Sequence, residues 1–156
     1  MKSNQKHKAQ LDQIPYLLHH ISFTIDGDMN QLLEERLGIG VSQRKILHVL
    51  HERSAVAQNV IAAALGQTES SVSRQVDYMH QKGLIDQKRD SNDKRRQLTI
   101  LTLKGHTLYQ EAKKLEQHYF QNLLKDMSDK DIAKLQELLE LTHVAFGHET
   151  NHTQCG

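Results

Sequence analysis

The sequence has no tryptophan, one cysteine and one proline in 156 residues, and aromatic residues make up only 4% of it. The lone Cys155 excludes an intramolecular disulfide framework. One proline and eight glycines argue against a loop-rich or β-rich fold. The longest apolar run, Val60 to Leu65, is too short to cross a bilayer, and the polar N-terminus lacks the apolar segment of a secretory signal. These absences predict a cytoplasmic protein with no membrane contact.

The remaining composition is that of an ordinary globular chain, with 37% apolar and 25% charged residues and a formal net charge of +1. At this length we expect one domain, residues 1–156, with enough chain to build a core. Because the net charge is close to zero, any surface that binds nucleic acid must be local.

Apolar residues recur at spacings of three and four over residues 11–32, which predicts one long amphipathic helix. The stripe consists of Leu11, Ile14, Leu18, Ile21, Ile25, Met29 and Leu32. It is close to a coiled-coil seam, so we expect a partner helix to cover it. The segment LGIG, residues 37–40, should end the helix.

Three short helices are predicted next. Ser42 is expected to cap the first, which turns Ile46, Leu47 and Leu50 inward. The second covers about residues 57–65 and ends at Gly66. Its buried residues should be Val60, Ile61, Ala64 and Leu65.

The third short helix should begin after Thr68, whose hydroxyl can accept a free backbone N–H of the first turn. Its buried stripe is Val72, Val76 and Met79, and Gly83 suits its C-terminal end. Two short helices joined by a tight turn, the second rich in serine, predict a helix-turn-helix motif.

Two strands follow, at residues 84–89 and 96–102. In the second, Leu98 and Ile100 should share one face, and Thr99 and Leu101 the other. Thr102 and Ser128 can each cap a later helix. The predicted fold is mainly α with a small β-hairpin wing. A winged helix-turn-helix core, residues 40–105, is flanked by long dimerisation helices at 9–36 and 106–147, with a polar tail at 148–156.

The exposed side of the third short helix has the residues that a DNA-reading helix needs. Small side chains let a helix approach base edges in the major groove, and hydroxyls suit phosphate oxygens. With the apolar stripe inward, Ser70 and Arg74 face outward and the other candidates lie on the flanks. The predicted DNA-binding residues of this helix are Ser70, Ser71, Ser73, Arg74 and Gln75.

The hairpin loop carries more positive charge than a turn requires. Between Lys82 and Arg96 there are six cations and three anions in a chain that is otherwise near neutral. The narrow minor groove attracts arginine, and Asp93 can orient Arg95 through a bidentate pair. Asp93, Lys94 and Arg95 are therefore predicted to bind DNA at the tip of the wing.

The segments LGQTESSVSRQVDYMHQKGLI and RDSNDKRRQLTILTLKG resemble the MarR family of bacterial transcription regulators. The wing pattern of that family, Asp-x-Arg followed after five residues by Leu-Thr-x-x-Gly, is present as Asp93, Arg95, Leu101, Thr102 and Gly105. Gln43 and the segment MSDKDIAKLQELL also fit, so the resemblance covers roughly residues 11–146. Two positions depart from it: Arg44 stands where an aromatic residue is frequent, and Ala57 replaces a serine or threonine cap.

The resemblance implies an obligate homodimer whose flanking helices intertwine. It implies a ligand-responsive repressor that binds double-stranded DNA at a palindromic operator. A small-molecule effector of unknown identity would bind near Tyr16, His19 and His20. No other cofactor and no metal are expected.

Two alternatives remain within this fold. Zinc-responsive members make a metal site a second interpretation for a chain with eleven histidines, and His148, His152 and Cys155 in the tail have ligand-like spacing. A winged helix that binds protein is the other. An enzyme is not expected, because the sequence shows no nucleophile elbow, phosphate-binding glycine loop or His-Glu-x-x-His motif.

Overall fold

The computed structural model describes residues 2–91 and 97–145, and the side chains from residue 11 onward within them. The elements of these residues follow the predicted order of a long helix, three short helices, a hairpin and two long helices. They are α1 (Lys2–Leu37), α2 (Val41–Arg53), α3 (Gln58–Leu65), α4 (Glu69–Gln81), β1 (Ile85–Arg89), β2 (Gln97–Leu101), α5 (Leu103–Leu123) and α6 (Asp129–Ala145). The fold class predicted from the sequence is confirmed.

The chain divides into two compact units, residues 1–116 and 117–156. The first unit has a dense core whose largest side chains are at most 1% exposed: Leu33, Ile46, Leu47, Leu50, Ile61, Val72, Val76, Met79, Ile85 and Tyr109. In the second unit, α6 has no buried residue. The single-domain organisation and its internal boundaries stay predictions.

The hairpin pairs β1 with β2 in antiparallel register, from Ile85 opposite Leu101 to Arg89 opposite Gln97. Val56 and Thr99 exchange two backbone hydrogen bonds of 3.0 and 2.8 Å, which fix the hairpin to the chain between α2 and α3. Thr99 and Leu101 are buried, so the predicted facing of β2 is confirmed.

Three of the predicted helix caps are confirmed. The hydroxyl of Thr68 accepts the Ser71 N–H at 3.3 Å, and the hydroxyl of Ser128 accepts the Asp131 N–H at 3.3 Å. Thr102 caps α5 by the same geometry. In each of these bonds a side-chain oxygen accepts a backbone N–H of the first helical turn, where the usual carbonyl acceptor four residues earlier is missing.

Two local predictions are wrong. Ser42 does not cap α2, because the helix begins at Val41 and the side chain of Gln43 accepts the Gly40 N–H at 2.8 Å. Of the four residues predicted to be buried on α3, Ile61 is buried, Val60 and Leu65 are half-buried and Ala64 is exposed, while Ala62 is buried instead. The packing of α3 on α2 and α4 selects the side that carries Ile61 and Ala62.

The apolar stripe of α1 is buried only toward its C-terminal end. Met29 is 5% exposed, whereas Leu11, Ile14, Leu18 and Ile21 are between 42% and 52% exposed. A contiguous apolar surface of this kind marks an interaction site. The partner helix therefore stays a prediction, and the exposed apolar side chains of α1 support it.

Candidate nucleic-acid interface

The helix α4 is anchored by its apolar side and presents a polar side. Val72, Val76 and Met79 are all 0% exposed, which confirms the predicted stripe. Ser70 and Arg74 are exposed one turn apart, and Ser71 and Ser73 are half-buried beside them. The Ser70 hydroxyl lies 3.2 Å from that of Thr68, at the N-terminal end of the helix. Four of the predicted DNA-binding residues thus share the first two turns of one helix.

The fifth residue, Gln75, is connected to α2 by a short chain of hydrogen bonds. Its side-chain amide donates to Oε1 of Gln67 at 3.1 Å, and the amide of Gln67 donates to the Ser42 hydroxyl at 3.2 Å. Oε1 of Gln75 is buried and has no hydrogen-bond partner among the described residues. The sequence does not predict these two hydrogen bonds of Gln67, because their partners Gln75 and Ser42 lie eight and twenty-five residues away and form no local pattern.

The turn between α3 and α4 requires Gly66. This residue has φ +61°, the left-handed region that costs glycine least, and its N–H caps α3. Gln67 and the cap Thr68 follow at once. The tight turn therefore places the hydrogen-bonded chain of Gln67 directly before the first turn of α4.

The spacing Leu-Thr-x-x-Gly has a structural reason at the base of the wing. Thr102 donates to the Gly83 carbonyl at 2.7 Å and accepts the Gly105 N–H at 3.1 Å. A Cβ on Gly105 would lie 2.0 Å from the Leu84 carbonyl oxygen. Only glycine lets the first turn of α5 pack this closely on the end of α4 and the start of β1.

The tip of the wing carries the remaining predicted DNA contacts. Asp93, Lys94 and Arg95 lie outside the described residues, so their roles stay predictions. The strands that lead to them are described, and Lys88 and Arg89 on β1 are exposed next to the loop.

A group of polar and aromatic side chains joins α2 to α5, and we call it the Tyr109 cluster. It consists of Arg44, His48, His51, His106, Tyr109 and Glu116. Tyr109 is 1% exposed at its centre, and His51 stacks on its ring with the centroids 4.3 Å apart. Nδ1 of His48 lies 3.1 Å from the Tyr109 hydroxyl.

The charged members of the cluster surround the same tyrosine. The Arg44 guanidinium lies 5.5 Å from the Tyr109 ring centroid and forms an ion pair with Glu116. Burial, and then the nearby Arg44, lowers the pKa of His48 below 6.5. Burial is also the main reason that the pKa of Tyr109 is raised above 10.0. Arg44, a departure from the family pattern, thus stacks on an aromatic residue supplied by α5.

The candidate effector residues lie on the exposed N-terminal half of α1. Tyr16 is 66% exposed and stacks on His20 with the ring centroids 5.7 Å apart. His19 is also exposed. None of the three lines an open cavity of ≈ 600 Å³ that lies between the end of α1, the end of α4 and the start of α5.

That cavity has an apolar floor and two lysines. Its lining residues are Leu37, Gly38, Ile39, Tyr78, Lys82, Leu84, Leu103, Lys104, Thr107, Leu108 and Glu111. Nζ of Lys82 lies 5.4 Å from the Tyr78 ring centroid, and Nζ of Lys104 donates to the Lys82 carbonyl at 2.8 Å. Its size and lining fall within the range of small-molecule sites.

Among the side chains of residues 11–91 and 97–145, no group of three or more His, Cys, Asp or Glu could hold a metal ion. The tail residues His148, His152 and Cys155 lie outside that range. In the same described part of the chain, no helix has the length and apolar character needed to span a bilayer.

Comparisons with known proteins agree with this architecture. A model of the MarR family matches residues 37–96. The HTH-type transcriptional regulator BilQ of Clostridium symbiosum is 24% identical over 106 residues, 68% of this chain and 74% of that protein. The family model covers α2, α3, α4 and β1, so it includes the helix-turn-helix and ends before β2 of the wing.

Solved structures extend the similarity to most of the chain. Wild-type MarR from E. coli in its apo form has a TM-score of 0.76 and 25% identity, covering 83% of this chain and 95% of that one. A mutant of S. aureus MepR bound to an oligodeoxyribonucleotide has a TM-score of 0.60 and 27% identity, covering 85% and 96%. The chain is thus similar to the MarR family over residues 37–96 and shares the winged helix-turn-helix fold of solved structures of that family.

Proposed function

We propose that the chain is a ligand-responsive repressor that binds a palindromic operator as a homodimer. It acts in the cytoplasm by occupying DNA and carries out no catalysis of its own. The observation that carries the proposal is the exposed N-terminal half of α4, where Ser70 and Arg74 lie one turn apart on a helix anchored by three fully buried residues.

In this proposal the face of α4 enters the major groove. Ser70 and Arg74 contact the DNA directly, and the half-buried Ser71 and Ser73 reach the phosphates that border the groove. Gln75 adds its second amide N–H while its first is held by Gln67. The bound oligodeoxyribonucleotide of the similar MepR structure supports DNA as the ligand.

The wing supplies the second contact. By the resemblance of its pattern, Asp93 orients Arg95 toward the minor groove and Lys94 acts as a mobile charge near the phosphates. Thr102 and Gly105 hold the base of the hairpin against the end of α4 and the start of α5. The strands that carry the wing are thereby fixed to the helix proposed to enter the major groove. Arginine is favoured there because the potential of a narrow minor groove is strongly negative.

A homodimer is proposed because both flanking regions leave apolar side chains in water. On α1 these include Leu18 and Ile21, and on α6 they include Leu138 at 49% and Leu141 at 62% exposure. Burial contributes about 25 cal/mol per Å² of apolar surface, so several such side chains on each protomer favour association. A two-fold dimer should then read two half-sites about one helical turn apart.

For the effector, the cavity beside Tyr78 and Lys82 is the site that the geometry supports best. A small molecule in this cavity would contact the C-terminal end of α4, the proposed recognition helix, and so could shift its position. Tyr16, His19 and His20 on α1 remain the second candidate set.

The test is fluorescence anisotropy with a duplex selected by the protein, measured over a salt series. Arg74→Ala should weaken binding by about 1–3 kcal/mol per half-site if it reads a base, or reduce the salt slope by about one per cation if it contacts a phosphate. Arg36→Ala, an exposed arginine at the end of α1, serves as the control. Equal losses in the two variants would contradict the proposed role of α4.

A further inference from the structure

The Tyr109 cluster is built from ionisable groups that DNA contact does not explain. Its members come from α2 and α5, whereas the predicted DNA contacts are on α4 and the wing. Tyr109 is nearly inaccessible. The rings of His48 and His51 stack on it, and the ring of His106 meets that of His51 edge-on. An apolar interface would join two helices at a lower desolvation free energy, because buried polar groups stabilise a fold only when their hydrogen-bond partners are in place.

His48 is the member whose charge can change near neutral pH. Histidine is the side chain that titrates in this range without perturbation. The half-buried His48 lies one turn after Arg44 on the same helix, and both face Tyr109. Protonation would therefore place a second cation beside a guanidinium whose carboxylate partner, Glu116, is already engaged.

We propose that the Tyr109 cluster is a proton-binding regulatory site: neutral His48 holds α2 on α5 in the arrangement that binds DNA, and protonated His48 loosens that contact and weakens DNA binding. The proposal rests on the DNA-binding function of the chain. It adds an input, the proton, that acts at a place separate from the effector cavity and from the DNA contacts.

The connection to the recognition helix is physical and short. On its first turn, α2 carries Ser42, which accepts a hydrogen bond from Gln67, and Gln67 in turn accepts one from Gln75 on α4. Two turns later the same helix carries His48 against α5. A change in how α2 lies on α5 is therefore transmitted to the residue that fixes the middle of α4.

Burial sets the direction of the effect by opposing a charge on His48, and the neighbouring charged groups modify it. From α2 these are Arg44, His51 and Glu52, and from α5 they are His106, Tyr109 and Glu116. Arg44 and His51 oppose a charge on His48, whereas Glu52 and Glu116 favour it. Burial is the largest influence and also opposes the charge. Protonation of His48 at low pH should therefore destabilise the packing of α2 on α5 in the Tyr109 cluster.

The experiment measures operator affinity by anisotropy from pH 8.0 to 5.5 at constant ionic strength. His48→Gln keeps a hydrogen-bonding side chain but cannot be protonated. His118→Gln is the matched control, because His118 is exposed on α5 and its Nε2 lies 3.0 Å from Nδ2 of Asn122, one turn further along the same helix. Wild type and the control should lose affinity as the pH falls below about 6.5, while His48→Gln should lose markedly less. At pH 7.5 all three should bind alike within about twofold.

Ring NMR of His48 with and without the duplex provides the second measurement. The pKa of His48 should be lower in the complex, and each unit of difference corresponds to about a tenfold loss of affinity on protonation. If His48→Gln does not fold, Glu52→Gln replaces it. Removing the carboxylate that favours the charged ring should move the midpoint of the affinity loss to lower pH.

Parallel pH profiles for wild type and His48→Gln, an unshifted midpoint in Glu52→Gln, or an equal pKa in free and bound protein would each overturn the proposal while leaving the DNA-binding function intact. A wild type that binds no selected duplex at any pH would instead overturn the proposed function, and this regulation with it.

Discussion

The side-chain amide of Gln75 in the recognition helix donates to Oε1 of Gln67 in the turn before it, at 3.1 Å. Because Gln67 also donates to Ser42, one glutamine joins three parts of the DNA-binding lobe. Its exposure is intermediate, so these bonds form partly out of water, where an unmade bond is costly.

Replacing Gln67 should therefore affect both stability and DNA recognition. Gln67→Ala leaves the amide of Gln75 and the hydroxyl of Ser42 without this partner, and we expect a loss of about 1–3 kcal/mol in the free energy of unfolding. DNA affinity should fall as well, because α4 loses a restraint. Urea denaturation and anisotropy measure the two effects. The control Gln81→Ala, at the exposed end of α4, should stay within about 0.5 kcal/mol of wild type; equal behaviour of the two variants would contradict the role of Gln67.

Gly105 gives a matched pair of glycine substitutions. In Gly105→Ala the new Cβ would meet the Leu84 carbonyl oxygen at 2.0 Å, so we expect a loss on the order of 3 kcal/mol or more. Gly27 lies within α1 with nothing near its Cβ position. Gly27→Ala should therefore be neutral or stabilise by up to about 1 kcal/mol through helix propensity. Thermal melts would show the difference, and a fully stable Gly105→Ala would mean that α5 does not pack on Leu84 as described.

The folded protein should also lose stability in mild acid. Burial first, and Arg44 second, hold the pKa of His48 below 6.5. The unfolded chain then takes up a proton more readily than the folded one, so the free energy of unfolding decreases as the pH drops below about 6.5. Urea midpoints at pH 7.5 and 5.5 should differ less in His48→Gln than in wild type or His118→Gln. If all three show the same difference, the burial of His48 contributes nothing to acid sensitivity.

Dimer formation should depend on the stripe of α1. Leu18 is 42% exposed in the single chain, and burying a leucine contributes roughly 1.5–3 kcal/mol. Leu18→Glu should therefore weaken the dimer by about tenfold or more, as measured by sedimentation equilibrium. Gln13→Glu adds the same charge to the same helix away from the stripe and should change little. A stable folded monomer of the wild type at micromolar concentration would refute the homodimer.

Much of the fold could be predicted because its signals are local. The order of the elements, the caps at Thr68 and Thr102, and the inward stripe of α4 each follow from a few neighbouring residues. The predicted cap of α2 at Ser42 is wrong because the Gln43 side chain accepts the Gly40 N–H instead. This contact depends on the path of the chain at Gly40, which the local sequence does not show. The burial of Ala62 rather than Ala64 depends on how α3 packs on α2 and α4, which the spacing of apolar residues within one short helix does not show.

The site could be predicted only where its residues are neighbours in sequence. Ser70 and Arg74 belong to one face of one helix, so periodicity found them. Gln67 is recognisable only once α3 and α4 are folded against α2. Tyr109 lies sixty-one residues from His48, and a tyrosine in an amphipathic helix gives no sign of the polar partners that tertiary packing brings to it.

The most direct test of the account is selection of bound duplexes from a random DNA pool by the full chain, followed by sequencing. We expect enrichment of an inverted repeat whose half-sites are centred about 10 base pairs apart, as a two-fold dimer with one recognition helix per protomer requires. The same selection with Arg74→Ala should give weaker enrichment or a relaxed half-site. A pool that stays indistinguishable from the input, or that converges on a single asymmetric half-site, would contradict the claim that this chain reads a palindrome through α4.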